Sequence, residues 1–175
     1  MIGRFASAMT SSGSLPSPTR FHRRDLVLGG GALLALALAG CQTAVPPVGG
    51  GAVVSGEGLS YFNAFRASQG LSAMSADSRL EEAALQQAGY MAKTGKMEHT
   101  TGWGRDFASR VKDNGIEGAA SENIAAGRMD TARVFSMWEN SPPHRRNMAD
   151  PRFSRFGLAY VARGDQRYWA LVMGR

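Results

Sequence analysis

From Tyr61 onward the hydrophobic positions switch between helical and extended spacing. Tyr61, Phe62 and Phe65 open a helix predicted to run to about Gln69 and to stop at Gly70, a residue suited to the left-handed conformation that ends helices. Leu71 and Met74 follow as buried loop contacts. Asp77 is a good N-cap. Behind it Leu80, Ala83, Ala84, Ala88 and Met91 recur at the i, i+3, i+4 spacing of a buried face, which ends near Gly95. A third helix is predicted over Arg105 to Asn114, a short extended segment over Ile124 to Ala126, and a helix over Thr131 to Asn140 capped by Asp130. Ser141-Pro142 starts another, with Ser at the cap and Pro at the first helical position. At the C-terminus Arg155 to Ala162 and Arg167 to Met173 flank Arg163-Gly164-Asp165 and read as a hairpin. Tyr168, Ala170 and Val172 point to one face of its second strand, and Trp169, Leu171 and Met173 to the other. Both faces are apolar, so the sheet is expected to be covered on both sides. The fold class is therefore α+β, a three-layer α-β-α sandwich around a small antiparallel sheet.

The first forty residues do not share this pattern. Arg23-Arg24 leads into Leu26 to Gly40, an apolar run of fifteen residues. A membrane-spanning helix needs ~20 residues, so the run fits the core of an export signal over residues 1–40 instead. Arg23-Arg24-Asp25-Leu26-Val27 resembles a twin-arginine export motif; an ordinary positively charged leader accounts for it equally well. Leu38-Ala39-Gly40-Cys41 resembles the bacterial lipobox, whose cysteine is acylated (a palmitate-type modification) and becomes the new N-terminus. Gln42 to Gly58, rich in Pro, Gly and small residues, reads as a tether, so that Cys41 and its tether occupy 41–58 and the folded domain 59–175.

Composition then removes several classes. The formal charge of the whole chain is +6, but Arg4, Arg20, Arg23 and Arg24 against Asp25 place half of it in the leader, leaving +3. The remaining arginines are scattered, so a nucleic-acid partner is not expected. Cys41 is the only cysteine, and no intrachain disulfide can form. Stability must come from a packed core.

Candidate chemistry concentrates between Ser121 and Asn147. With His22 in the leader, His99 and His144 are the imidazoles of the remaining chain, both beside acids or turns. Two neutral imidazoles with the Glu122 carboxylate are a set that Zn2+ takes while leaving positions open to water or substrate. Each residue also has a structural reading. His144 can pack on Pro142 and bond a local carbonyl, and Glu122 can fix its loop by accepting backbone amides. Ser141, three residues before His144, can be read as a nucleophile with Glu122 orienting the imidazole, or simply as a helix cap; no G-x-S-x-G elbow is legible. Trp103 and Trp138 read as core or cleft wall. Arg145 and Arg146 form a solvated basic edge able to meet a lipid headgroup or a cell-wall carboxylate.

Asn63-x-x-Arg66, Leu71, Asp77, Leu80, Ala83-Ala84, Met97-x-His99, Glu122-Asn123-Ile124, Trp138 and Ser141-Pro-Pro-His144-Arg-x-Asn147 occur in an order that resembles the bacterial branch of the CAP superfamily. This superfamily comprises the cysteine-rich secretory proteins, antigen 5 and pathogenesis-related 1 proteins, also called SCP-like extracellular domains. The resemblance covers roughly Leu59 to Arg175. It implies an α-β-α sandwich whose cleft holds two histidines and two acids, with zinc bound in some members. By the matching motifs His99 and His144 are those histidines and Glu122 the first acid. Ser141 stands where the second acid is expected, and Glu139 directly follows Trp138. The implied cleft is His99, Glu122, Ser141 and His144, with Zn2+ or another divalent metal held weakly by His99 and His144. Three functions are compatible with it. The first is a lipid-anchored binding module of the bacterial envelope, facing periplasm or exterior, that takes a small lipid-like or cell-wall ligand. The second is a metal-assisted hydrolase with Glu122 as the candidate catalytic base, and the third an interaction protein with a vestigial cleft. The missing acid favours binding, since fewer groups remain to move protons.

Overall fold

A computed structural model describes residues 49–175. The expected export signal, Cys41 and the start of the tether lie outside the described residues. Five strands and five helices follow in the order β1 (Gly51–Val53), α1 (Ser55–Ser68), β2 (Ser75–Ala76), α2 (Ser78–Thr94), α3 (Phe107–Asp113), β3 (Ala120–Gly127), α4 (Thr131–Glu139), α5 (Pro142–Met148), β4 (Arg155–Arg163) and β5 (Gln166–Gly174). The sheet runs β1-β4-β5-β3, with β2 also paired to β4 in parallel and the other pairings antiparallel.

The expected C-terminal hairpin is present as β4 and β5, and it divides the core in two. Trp169, Leu171 and Met173 pack with Phe62, Phe65, Phe135 and Trp138 from α1 and α4. Tyr168, Ala170 and Val172 pack with Leu80, Ala83, Ala84, Ala88 and Met91 of α2. Period-two alternation in one strand thus feeds both layers of the sandwich. On the α1 side the aromatic rings interlock, with Phe62 edge-on to Phe156 at 5.2 Å and Phe135 edge-on to Trp138 at 5.8 Å. On the α2 side small residues let helix and sheet approach closely. At Gly157 an added Cβ would lie 2.1 Å from the Glu81 nitrogen and the Leu80 carbonyl carbon, so only glycine lets α2 cross β4 there.

Helix ends follow the local chemistry. The Asp77 carboxylate accepts the N–H groups of Arg79 and Leu80 at 3.0 and 3.2 Å, and Gly95 ends α2 in the left-handed conformation. Asp130 accepts from the Arg133 N–H at 2.8 Å.

The tether expectation needs correction. Residues Gly51 to Gly58 belong to the folded domain: β1 pairs with β4, and α1 begins at Ser55, six residues before the predicted start. The Ser55 hydroxyl accepts the Leu158 N–H at 2.9 Å, deep in the protein. Gly58 is a packing residue, because a Cβ would come within 2.6 Å of the Leu158 side chain. Composition alone reads Gly and small residues as flexible; here they sit where β4 and α4 press against the backbone. The short segment expected at Ile124 to Ala126 is also longer, an eight-residue strand held over its whole length by β5.

Candidate functional site

Strand β3 lies at an edge of the sheet, and its alternation distributes the site. Ile124 faces the α2 layer, whereas Ala125 faces the α1 layer. By the same period Glu122 projects with Ile124, and Asn123 with Ala125. Adjacent residues therefore hold the two histidines from opposite sides. The free edge of β3 is closed by side chains: the Trp138 indole N–H donates to the Ile124 carbonyl at 3.2 Å, and the Asn147 amide to the Glu122 carbonyl at 3.4 Å. Trp138 is fully buried, which resolves it as core.

On the first side, Glu122 is 6% exposed and meets Arg110, itself 2% exposed. One guanidinium nitrogen of Arg110 donates to both carboxylate oxygens, at 2.8 and 2.7 Å. The other donates to the Arg105 carbonyl at 2.8 Å, and both reach the His99 carbonyl at 3.3 Å. His99 Nδ1 lies 2.8 Å from Glu122 Oε1. An ionised carboxylate can only accept, so this contact assigns a proton to His99 Nδ1, and in the neutral imidazole Nε2 is then the atom with a free lone pair. The His99 side chain is 54% exposed, while that of Glu122 is only 2% exposed. The histidine faces out and the acid holds it from behind.

On the second side, α5 carries His144. Ser141 occupies the N-cap position, yet its hydroxyl caps no helix amide; it lies 2.8 Å from His144 Nδ1. The Asn123 amide donates to the His144 carbonyl at 3.1 Å, and Asn147 donates to Asn123 Oδ1 at 2.9 Å, tying α5 to β3. Burial first, and the neighbouring His99 second, hold the His144 imidazole below the ordinary histidine value.

A Ser141-His144-Glu122 relay is not formed, since Glu122 orients His99 and no carboxylate among the described residues bonds His144. Glu139 is half-buried in the last turn of α4. Burial pushes its carboxyl up against the opposing pull of Arg145, and it bonds neither histidine. Among the described residues no three His, Cys, Asp or Glu side chains gather as a metal-holding group. The donor set that does exist consists of two imidazoles with their Nδ1 atoms already engaged. It fits at most two positions of a metal whose remaining ligands come from water or a bound molecule. A groove of about 770 Å3 lies elsewhere, lined by Asp77, Arg79, Glu117, Arg155 and Arg175 among others, and contains neither histidine.

Sequence reasoning did not single out Arg110. It is one of many arginines, and its only local signal is its place on a short helix capped by Asp106, whose carboxylate accepts the Ser109 N–H. Arg66, which the N-x-x-R motif did single out, likewise owes its role to distant contacts. It is buried and donates to the carbonyls of Ser72, Met148, Asp150 and Phe153 at 2.8 to 3.1 Å, pinning the chain that leaves α5. Asn63, three residues earlier, holds Met74 through both its N–H and its carbonyl. These contacts give the N-x-x-R spacing a structural reason. Trp103 is neither core nor buried wall, being fully exposed.

Comparison with known proteins agrees with this architecture. The family model described as CAP, cysteine-rich secretory protein family, matches residues 59–173. YkwD of Bacillus subtilis strain 168, an uncharacterized protein, is 34% identical over 105 residues, covering 59% of this chain and 40% of YkwD. An extracellular protein containing a SCP domain from Bacillus anthracis strain Ames has a structure similar to this one, with a TM-score of 0.62 at 20% identity. That match covers 69% of this chain and 39% of the other. The chain therefore spans about two-fifths of the length of these two relatives. The crystal structure of NaASP2 with Zn2+ matches at a TM-score of 0.52 and 16% identity, over 69% of this chain and 78% of that one. With a family match over residues 59–173 and an α-β-α fold shared with SCP domains, the chain belongs to the cysteine-rich secretory protein (CAP) family.

Proposed function

We propose that this chain is a lipid-anchored, extracytoplasmic binding module whose cleft at His99 and His144 takes a small amphipathic ligand. The observation that carries the reading is the sequestration of Glu122. Its carboxylate is held by Arg110 at 2.7 Å and by His99 at 2.8 Å, with its side chain 2% exposed. A general base must reach the proton that it removes. Glu122 instead fixes the ring of His99, and among the described residues no second acid bonds His144. What the cleft offers is two oriented imidazole nitrogens, suited to holding a polar head.

The same two nitrogens would hold a divalent metal, with His99 and His144 as the protein ligands. Such an ion would supply a Lewis-acidic anchor for a ligand oxygen. Glu122 and Ser141 orient the two rings from behind, as outer partners of metal-bound histidines do. The structure of NaASP2 with Zn2+ supports testing zinc first. Localisation rests on the Leu26 to Cys41 pattern and on the extracellular relative from Bacillus anthracis; no described helix is long and apolar enough to cross a membrane.

A displacement titration tests the binding reading. Protein spanning Gln42 to Arg175 should bind a dansylated fatty acid, and His99→Ala with His144→Ala should weaken the binding while both variants stay folded. Zinc-dependent cleavage of cell-wall fragments by the wild type, lost in Glu122→Gln, would instead establish the hydrolase. Labelling with a radioactive fatty acid, wild type against Cys41→Ala, tests the anchor; equal labelling refutes it.

A further inference from the structure

The loop between α2 and α3 carries two exposed apolar residues, Met97 at 53% and Trp103 at 103% of full exposure. Trp103 stands at the tip between Gly102 and Gly104, both in positive-φ conformations that other residues adopt with strain. The backbone is shaped to push this indole outward, and nothing in the domain covers it. Around it lies positive charge. The Arg105 guanidinium sits 5.0 Å from the centre of the Tyr90 ring, which places the loop tip beside the last turn of α2. Lys93 and Lys96 are exposed on that turn and just beyond it. Arg163, from the β4–β5 turn, donates to the Ala92 carbonyl at 3.4 Å and fills the space beside Gly95. The acids of this end are Glu98, which is exposed, Asp106, which is engaged by Ser109, and Asp165 in the β4–β5 turn, which is paired with Arg128.

The chain also enters the domain here. Gly49 presses on the Ala162 carbonyl so closely that a Cβ would come within 2.2 Å, and the Gly50 carbonyl accepts the Ala162 N–H at 3.1 Å. Ala162 adjoins Arg163. Cys41 lies eight positions before Gly49, a span of at most ~30 Å even when fully extended. Whatever holds Cys41 therefore lies within that distance of Gly49, which packs beside Ala162 and next to Arg163.

We propose that this end docks on an anionic bilayer, with Trp103 and Met97 entering the interfacial region and Lys93, Lys96, Arg105 and Arg163 meeting lipid headgroups. Indole and methionine side chains supply an apolar body, and Trp in addition an N–H for the wet boundary. Lysine and arginine reach the headgroups while their stems lie on apolar surface. The mouth at His99, on the same loop, then opens beside the membrane surface, where an amphipathic ligand is most concentrated. The inference rests on the anchored reading above, and its test separates the two.

The full chain is reconstituted into vesicles of equal parts phosphatidylethanolamine and phosphatidylglycerol, and flotation reports retention. Trp138 and Trp169 are fully buried, so the quenchable fluorescence belongs to Trp103 and should vanish in Trp103→Phe. The expected result is a blue shift with quenching by lipids brominated near the headgroup. Lys93→Gln and Lys96→Gln should each lower the docked-to-free ratio of the loop about fivefold, as should replacing phosphatidylglycerol by phosphatidylcholine. Protein that floats while Trp103 stays fully open to aqueous iodide overturns the docking and leaves the anchor standing. Protein that does not float overturns both. A blue shift produced by cell-wall glycan fragments, and none by vesicles, overturns the docking in favour of a sugar partner.

Discussion

Replacing Arg110 by alanine should expose how much of the site depends on one buried ion pair. Arg110 and Glu122 are both nearly inaccessible, with side chains 3% and 2% exposed. The guanidinium donates to both carboxylate oxygens and to the carbonyls of His99 and Arg105. Removing one partner of a buried pair costs about 3–5 kcal/mol, because the other charge is left without compensation. For a domain of this size that corresponds to a fall in Tm of roughly 10–20 °C. Arg110→Lys should recover only part of the loss, since a single ammonium cannot reproduce the fork that spans Glu122 and two carbonyls. Arg110→Met with Glu122→Leu should be far less destabilised than Arg110→Met alone, because no buried charge remains. Thermal and urea unfolding measure the deficit. A deficit below about 1 kcal/mol would falsify the claim that the pair is buried and coupled.

Gly157→Ala should destabilise the fold by about 3 kcal/mol or become insoluble, because its Cβ would meet α2 backbone at 2.1 Å; urea unfolding decides, and an unchanged midpoint rejects the crossing described here. Ser141→Glu restores an acid beside His144 and should tighten Zn2+ about tenfold by isothermal titration, whereas Ser141→Ala should weaken it with little effect on stability. Folding holds the His144 imidazole below its unfolded value, so between the two values the unfolded chain binds more protons. Wild-type stability should accordingly fall as pH drops below about 6.5, and His144→Gln should reduce that slope.

Several roles that depend on near neighbours in the chain were legible in the sequence, though the Asp106 cap and the Ser141 contact with His144 were not. Asp77 and Asp130 cap helices because a carboxylate beside the first free amides acts over two or three residues. The alternation of Tyr168 to Met173 announced a sheet covered twice, since side-chain direction in a strand is fixed by parity. The motif order around His99, Glu122 and His144 pointed to the family. Roles set by distant contacts were not legible. Nothing near Arg110 distinguishes it from exposed arginines, and the N-x-x-R spacing marked Arg66 without saying what it holds; Glu122 lies twelve positions from Arg110, and the Met148 to Phe153 carbonyls more than eighty from Arg66. Gly51 to Gly58 looked like a tether because composition reports what a segment lacks and not what presses on it. Tertiary structure alone decided that Glu122 orients His99 and leaves His144 to Ser141. Parity sends Glu122 to one face of β3, but only the packing of α3 behind that face brings a buried guanidinium to neutralise it.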